Sequence, residues 1–135
     1  MNSKQHDKKI KARGKSGEEY VCRYLQNKGY NIVYTNYSCR YGEIDIIAEN
    51  DDVIAFVEVK TRKQGSFVSG IESITPTKLK KIILTAVDYI TKHNTDKQPR
   101  IDCVQVTVSD KDGVTKDIIY IENAVDNLED HLMFS

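Results

Sequence analysis

The chain of 135 residues carries 20 Lys+Arg against 20 Asp+Glu, with 39% apolar residues, seven Gly and two Pro. That length predicts one globular domain, and the composition excludes a collagen-like, low-complexity or wholly disordered chain. No apolar run approaches the roughly 20 residues of a membrane helix, and Met1–Arg13 is too polar for a secretory signal, so a cytoplasmic protein with no membrane partner is expected. Three Cys and three His, widely scattered, predict neither disulfides nor a zinc site.

The zero net charge is a cancellation. Residues 1–100 hold 18 basic and 12 acidic side chains, whereas residues 101–135 hold 2 and 8. Six acids and no base fall between Gly42 and Glu58, and that stretch is flanked by basic ones at Met1–Arg13 and Lys60–Lys81. An acidic patch between two basic ones is unusual for a merely solvated surface.

Residues 1–15 read as a basic, flexible arm and 16–135 as a single domain. Ser16 and Glu19 form a capping box for a first helix, with Tyr20, Val21, Tyr24 and Leu25 as its apolar face and Gly29 as its stop. Glu19 thus has a capping job, whereas Glu18 stacks in line with Val21, Cys22 and Leu25. Tyr30–Tyr37 reads as a strand, and Glu43–Glu49 and Val53–Thr61 as two more around Asn50-Asp51-Asp52. Lys63–Ser73 reads as a loop. Thr75 and Pro76 then open a second helix with Leu79, Ile82, Ile83, Ala86, Val87 and Ile90 on one stripe. Ile101–Val108 and Val114–Ile121 form a second hairpin, and Ala124–Met133 a short terminal helix.

Alternation in a strand puts Glu43, Asp45 and Ile47 on one face and Ile44, Ile46 and Ala48 on the other. Val53, Ala55, Val57 and Val59 share a face of the next strand, and Ile54, Phe56, Glu58, Lys60 and Arg62 share its opposite. Apolar residues on both sides mark a central strand, so Glu58 and Lys60 border a dry region and need partners. An Asp51-Asp52 turn makes Asp45 face Glu58 and Glu43 face Lys60; an Asn50-Asp51 turn makes Glu43 face Glu58 instead. Either register crowds carboxylates, an arrangement that a hard divalent cation such as Mg²⁺ relieves.

Gly42-Glu43-Ile44-Asp45-Ile46-Ile47-Ala48 followed by Phe56-Val57-Glu58-Val59-Lys60-Thr61-Arg62 resembles the signature of the YraN-like bacterial family, a branch of the PD-(D/E)XK nuclease superfamily. Gly17-Glu18, Arg100-Ile101-Asp102 and Glu122-Asn123-Ala124 extend the likeness over most of the chain. Ile44 stands where the superfamily motif has Pro, a departure the YraN-like signature shares. The resemblance implies an α/β, restriction-endonuclease-like core, similar to archaeal Holliday-junction resolvases. The α-β-β-β-α-β order read from the residues, with a mixed central sheet flanked by helices, agrees with it.

The resemblance further implies Asp45 and Glu58 as ligands of Mg²⁺ or Mn²⁺, with Glu18 completing the site through metal or water. It implies Lys60 as the residue that orients water and offsets charge on the scissile phosphate. A metal-dependent DNA endonuclease, structure-selective like a resolvase, is the expected function; a non-catalytic nucleic-acid-binding protein of the same fold is the alternative. Two symmetric cuts would need two sites, which implies a homodimer.

Arg62, Lys63, Lys78 and Lys81 are the candidate phosphate contacts, and Glu43 a partner behind Asp45. Arg100 and Asp102 read most simply as a structural pair. Gly14-Lys15-Ser16 lacks the upstream Gly and strand of a phosphate-binding loop and is set aside.

Overall fold

The computed structural model describes residues 17–65 and 75–125. Helix α1 (residues 17–27) leads into strands β1 (Asn31–Cys39), β2 (Gly42–Glu49) and β3 (Val53–Lys63); helix α2 (Pro76–His93) then precedes β4 (Gln98–Val108) and β5 (Thr115–Ile121). The basic arm, the Ser16 cap, most of the Lys63–Ser73 loop and nearly all of the expected terminal helix lie outside the described residues. Ala124 and Val125, where that helix was expected to start, are not helical.

The strands stand in the order β1-β2-β3-β4-β5. β1/β2, β2/β3 and β4/β5 are antiparallel, while β3/β4 are parallel, with α2 in the crossover. This is the α-β-β-β-α-β order of a restriction-endonuclease-like core, with β5 extending the mixed sheet.

Each sheet face has its own apolar cluster. α2 lays Ile82, Ile83, Ala86 and Tyr89 against Tyr37, Ile44, Ile47, Ile54, Phe56 and Ile101. α1 lays Val21 and Leu25 against Ile46, Ala48, Ala55, Val57, Val104 and Val106. β3 is therefore covered on both sides. Tyr20, expected on the apolar face of α1, is 46% exposed, while Cys22 and Tyr24 flank Val21 and Leu25 against the sheet.

Local chemistry sets the element ends. Thr75 caps α2 by accepting from Lys78 N at 3.1 Å, Pro76 fills the first turn where no N–H is needed, and Asn94 ends the helix in a left-handed conformation. Between β2 and β3, Asn50 Oδ1 accepts from Asp52 N at 2.9 Å and Val53 N at 2.7 Å. This side-chain turn leaves Asp51 and Asp52 as the loop. The register then runs Ala48↔Ala55, Ile47↔Phe56, Ile46↔Val57, which brings Asp45 opposite Glu58.

One expectation of strict alternation fails. Ile44 packs in the α2-side cluster and Ile46 in the α1-side cluster, although both were expected on one face. The break falls at Asp45. Across from it on β1, Asn36 has φ 55°, between the pairs Thr35↔Ile46 and Tyr37↔Ile44.

Candidate active site

The β2/β3 ladder ends at Ile46↔Val57, and the next residues on each strand are the two carboxylates. Asp45 takes over where the ladder stops: its Oδ2 accepts the Val59 N–H at 2.8 Å, supplying the acceptor that a paired strand would have provided. Glu58, 5% exposed, follows Ile54 and Phe56 on the α2-side face of β3. Its Oε1 lies 3.5 Å from Lys60 Nζ on the same strand and 3.6 Å from Lys78 Nζ in the first turn of α2. Two ammonium groups from separate elements thus converge on one buried carboxylate oxygen. A buried charge demands such compensation.

Among the described residues, no cation pairs with Asp45 as the two lysines do with Glu58. Burial, then the charge of Glu58, pushes the Asp45 carboxyl up to about 7; the hydrogen bond from the Val59 N–H opposes them, and Glu18 and Glu43 add smaller upward increments. At neutral pH this group is poised between acid and carboxylate, a condition typical of groups that do chemistry.

Gly17 brings Glu18 within electrostatic reach. A Cβ there would stand 3.3 Å from Val106 Cγ1 and 3.4 Å from Thr61 Oγ1, so the first turn of α1 lies almost directly on β3 and β4. Glu18, Glu19, Cys22, Thr35 and Asn36 line a cleft of about 160 Å³ between α1 and β1, open to water.

The structure therefore gathers Asp45, Glu58 and Lys60 at the open end of the β2/β3 ladder, with Glu18 acting on Asp45 from the α1 side. Glu43 is exposed and affects Asp45 only weakly. Arg62, two residues beyond Lys60, shares its face, whereas Lys63 alternates to the other; Lys81 is exposed and stacks its Cβ near Gly42 at the tip of the β1–β2 hairpin. Lys78, expected as a phosphate contact, also forms an ion pair with Glu58. Its position three residues after the Thr75 cap, in the helix's first turn, was the available signal. Asn36, expected to open the connection Asn36–Tyr41, lies instead inside β1, which runs on to Cys39; an Asn inside a β-rich run is the hint that a left-handed residue interrupts the strand without ending it.

Arg100 and Asp102 stand elsewhere and are structural. Asp102 is fully buried and accepts from Arg100 Nε and Nη2 at 2.8 Å each, Tyr120 OH at 2.6 Å and Asn123 N at 2.9 Å. Arg100 also donates to Tyr30 OH at 2.7 Å, which ties β4 and β5 to the end of α1.

Among the described residues, no set of three or more His, Cys, Asp and Glu is gathered tightly enough to hold a metal ion by itself. The donor chemistry at Asp45 and Glu58 nevertheless suits Mg²⁺, an oxygen-seeking cation that commonly uses one or two protein carboxylates and keeps water or phosphate for the rest. Among the described residues, no helix is long and apolar enough to cross a membrane.

The fold and this carboxylate pair define an α/β protein of the restriction-endonuclease-like class. Residues 17–106 match the model of the family described as "Uncharacterised protein family UPF0102", a span that contains every candidate site residue. A UPF0102 protein of Sulfurihydrogenibium sp. is 44% identical over 113 residues, covering 83% of this chain and 92% of the relative. One of Dichelobacter nodosus is 44% identical over 79% of this chain and 84% of its own, and one of Syntrophomonas wolfei 42% identical over 80% and 92%. The chain belongs to the UPF0102 family, the YraN-like family that its motifs resemble.

Proposed function

We propose that this protein is a metal-dependent endonuclease that hydrolyses DNA phosphodiester bonds, with a preference for branched DNA. One observation carries the reading: a poised carboxyl, Asp45, beside a buried carboxylate, Glu58, with Lys60 at the latter's oxygen, all where two strands part. Asp45 and Glu58 would hold Mg²⁺ or Mn²⁺, with Glu18 reaching it directly or through water. When bound, the ion supplies Lewis acidity toward a phosphoryl oxygen and lowers the pKa of water. Lys60 offsets charge on the scissile phosphate and orients the attacking water, and Lys78 is near enough to share that role once Glu58 turns to other partners. Arg62 and Lys81 extend the positive rim along which a phosphate backbone can lie.

A second reading has its own support. Glu58 is already neutralised by two lysines, so the cluster is electrostatically tolerable without metal, as suits a non-catalytic nucleic-acid-binding protein. The assay that separates them incubates the protein with linear, single-stranded and branched DNA in Mg²⁺ or Mn²⁺, beside Asp45→Ala and Lys60→Ala. Metal-dependent cutting that both substitutions abolish is expected. Salt-sensitive binding without cutting would establish the second reading, and cutting by both variants would sink the catalytic one.

A further inference from the structure

The break in alternation at Asp45 is matched residue for residue on the neighbouring strand. Tyr34 pairs with Ile47 and touches Tyr37, itself in the α2-side cluster, so these two tyrosines share a side. Strict alternation cannot do this, because Tyr34 and Tyr37 are three residues apart. The odd step is accommodated at Asn36, where φ is 55°. Thr35 and Asn36 both line the cleft beside Glu18, on the α1 side, and across the ladder the step from Ile46 to Ile44 likewise changes cluster. Both strands therefore make their extra half-turn at the same level, and the residue of β2 at that level is Asp45.

We infer that Asn36 is a positioning residue for Asp45: its left-handed backbone turns the paired strand so that the Asp45 carboxylate reaches the Val59 N–H and stands between Glu58 and Glu18. This deepens the nuclease reading and rests on it only for the role of Asp45. A left-handed backbone is routine for Gly, tolerable for Asn, and strongly disfavoured for β-branched residues. In an unbroken strand, residue 45 would stay in phase with Ile47 and lie flat against the α2 side. The Val59 N–H, which lies beyond the last ladder pair Ile46↔Val57, would then lose its carboxylate acceptor.

The test uses the whole chain. Hydrogen exchange of the Val59 amide is followed by NMR in wild type, Asn36→Gly, Asn36→Ala and Asn36→Val, with the Val57 amide as a ladder reference, and Mn²⁺ binding is followed by paramagnetic relaxation. Asn36→Gly is expected to keep Val59 exchange within about threefold of wild type, since Gly holds the same backbone. Asn36→Val, or Asn36→Ala should the Val variant not fold, is expected to speed Val59 exchange at least tenfold relative to Val57 and to weaken Mn²⁺ binding at least fivefold. The inference is overturned if a folded Val or Ala variant leaves Val59 exchange unchanged, or if the Gly variant loses protection as the others do. DNA cutting is scored separately: its absence in wild type would remove the nuclease reading, while the Val59 ranking would still decide the role of Asn36.

Discussion

Lys78 Nζ, on α2, lies 3.6 Å from Glu58 Oε1, on β3. A lysine so placed competes with any cation that approaches Glu58. Lys78→Met is therefore expected to tighten Mn²⁺ binding by roughly threefold to tenfold, while lowering stability by about 1 kcal/mol through loss of one partner of a buried charge. Calorimetric titration with Mn²⁺ checks the first effect and urea unfolding the second. Weaker Mn²⁺ binding would mean that Lys78 supports the metal site rather than opposing it.

Asp45 makes stability depend on pH in an unusual direction. The folded state holds its proton up to about pH 7, whereas an unfolded Asp releases it near 3.9. Between those values the native chain binds more protons, so its contribution to stability falls as pH rises, by at most about 1.4 kcal/mol per unit, and levels off above 7. Asp45→Asn should abolish that decline. Urea unfolding at several pH values between 4.5 and 8 without metal compares the two, and parallel curves would refute the assignment.

Asp102 should matter to stability and not to the site. Asp102→Ala leaves the Arg100 guanidinium half-buried without its bidentate partner and strips the acceptor from Tyr120 OH. The expected loss is about 3–5 kcal/mol in urea unfolding. Mn²⁺ affinity of the fraction that remains folded should match wild type.

Gly17→Ala tests how closely α1 must sit on the sheet. The new Cβ meets Val106 Cγ1 at 3.3 Å and Thr61 Oγ1 at 3.4 Å, so the first turn must lift by a few tenths of an ångström. Stability should fall by about 1 kcal/mol, and DNA cutting by more than that loss predicts, because Glu18 rides on the same turn. Equal activity per folded molecule would mean that Glu18 has no part in the site.

Much of this was legible in the sequence because the signals were local. The Asn50 turn and the Thr75-Pro76 helix start depend on contacts within a few residues, and the unbroken apolar run of β3 can be read from composition before its partners on α1 and α2 are known. The sequence left two hairpin registers open, and it took the Asn50 side chain, acting as acceptor to both Asp52 and Val53, to select the one that opposes Asp45 to Glu58. Lys78 and Asn36 were not legible in the same way. The partner of Lys78 is 20 residues away and reached only through the α2 crossover; Asn36 acts through a backbone angle that many strand residues would refuse.

The parallel pairing of β3 with β4 has a kinetic consequence. Asp45, Glu58 and Lys60 all lie on one hairpin, whereas Lys78 and β4 arrive only after the long crossover closes, and Val53 must find Gln98. Non-local closure of this kind is slow. The acidic hairpin therefore spends the early part of folding without the second lysine, and protonating Asp45 should relieve it. Refolding in stopped-flow is expected to run faster at pH 5.5 than at pH 8, and the difference should vanish in Asp45→Asn.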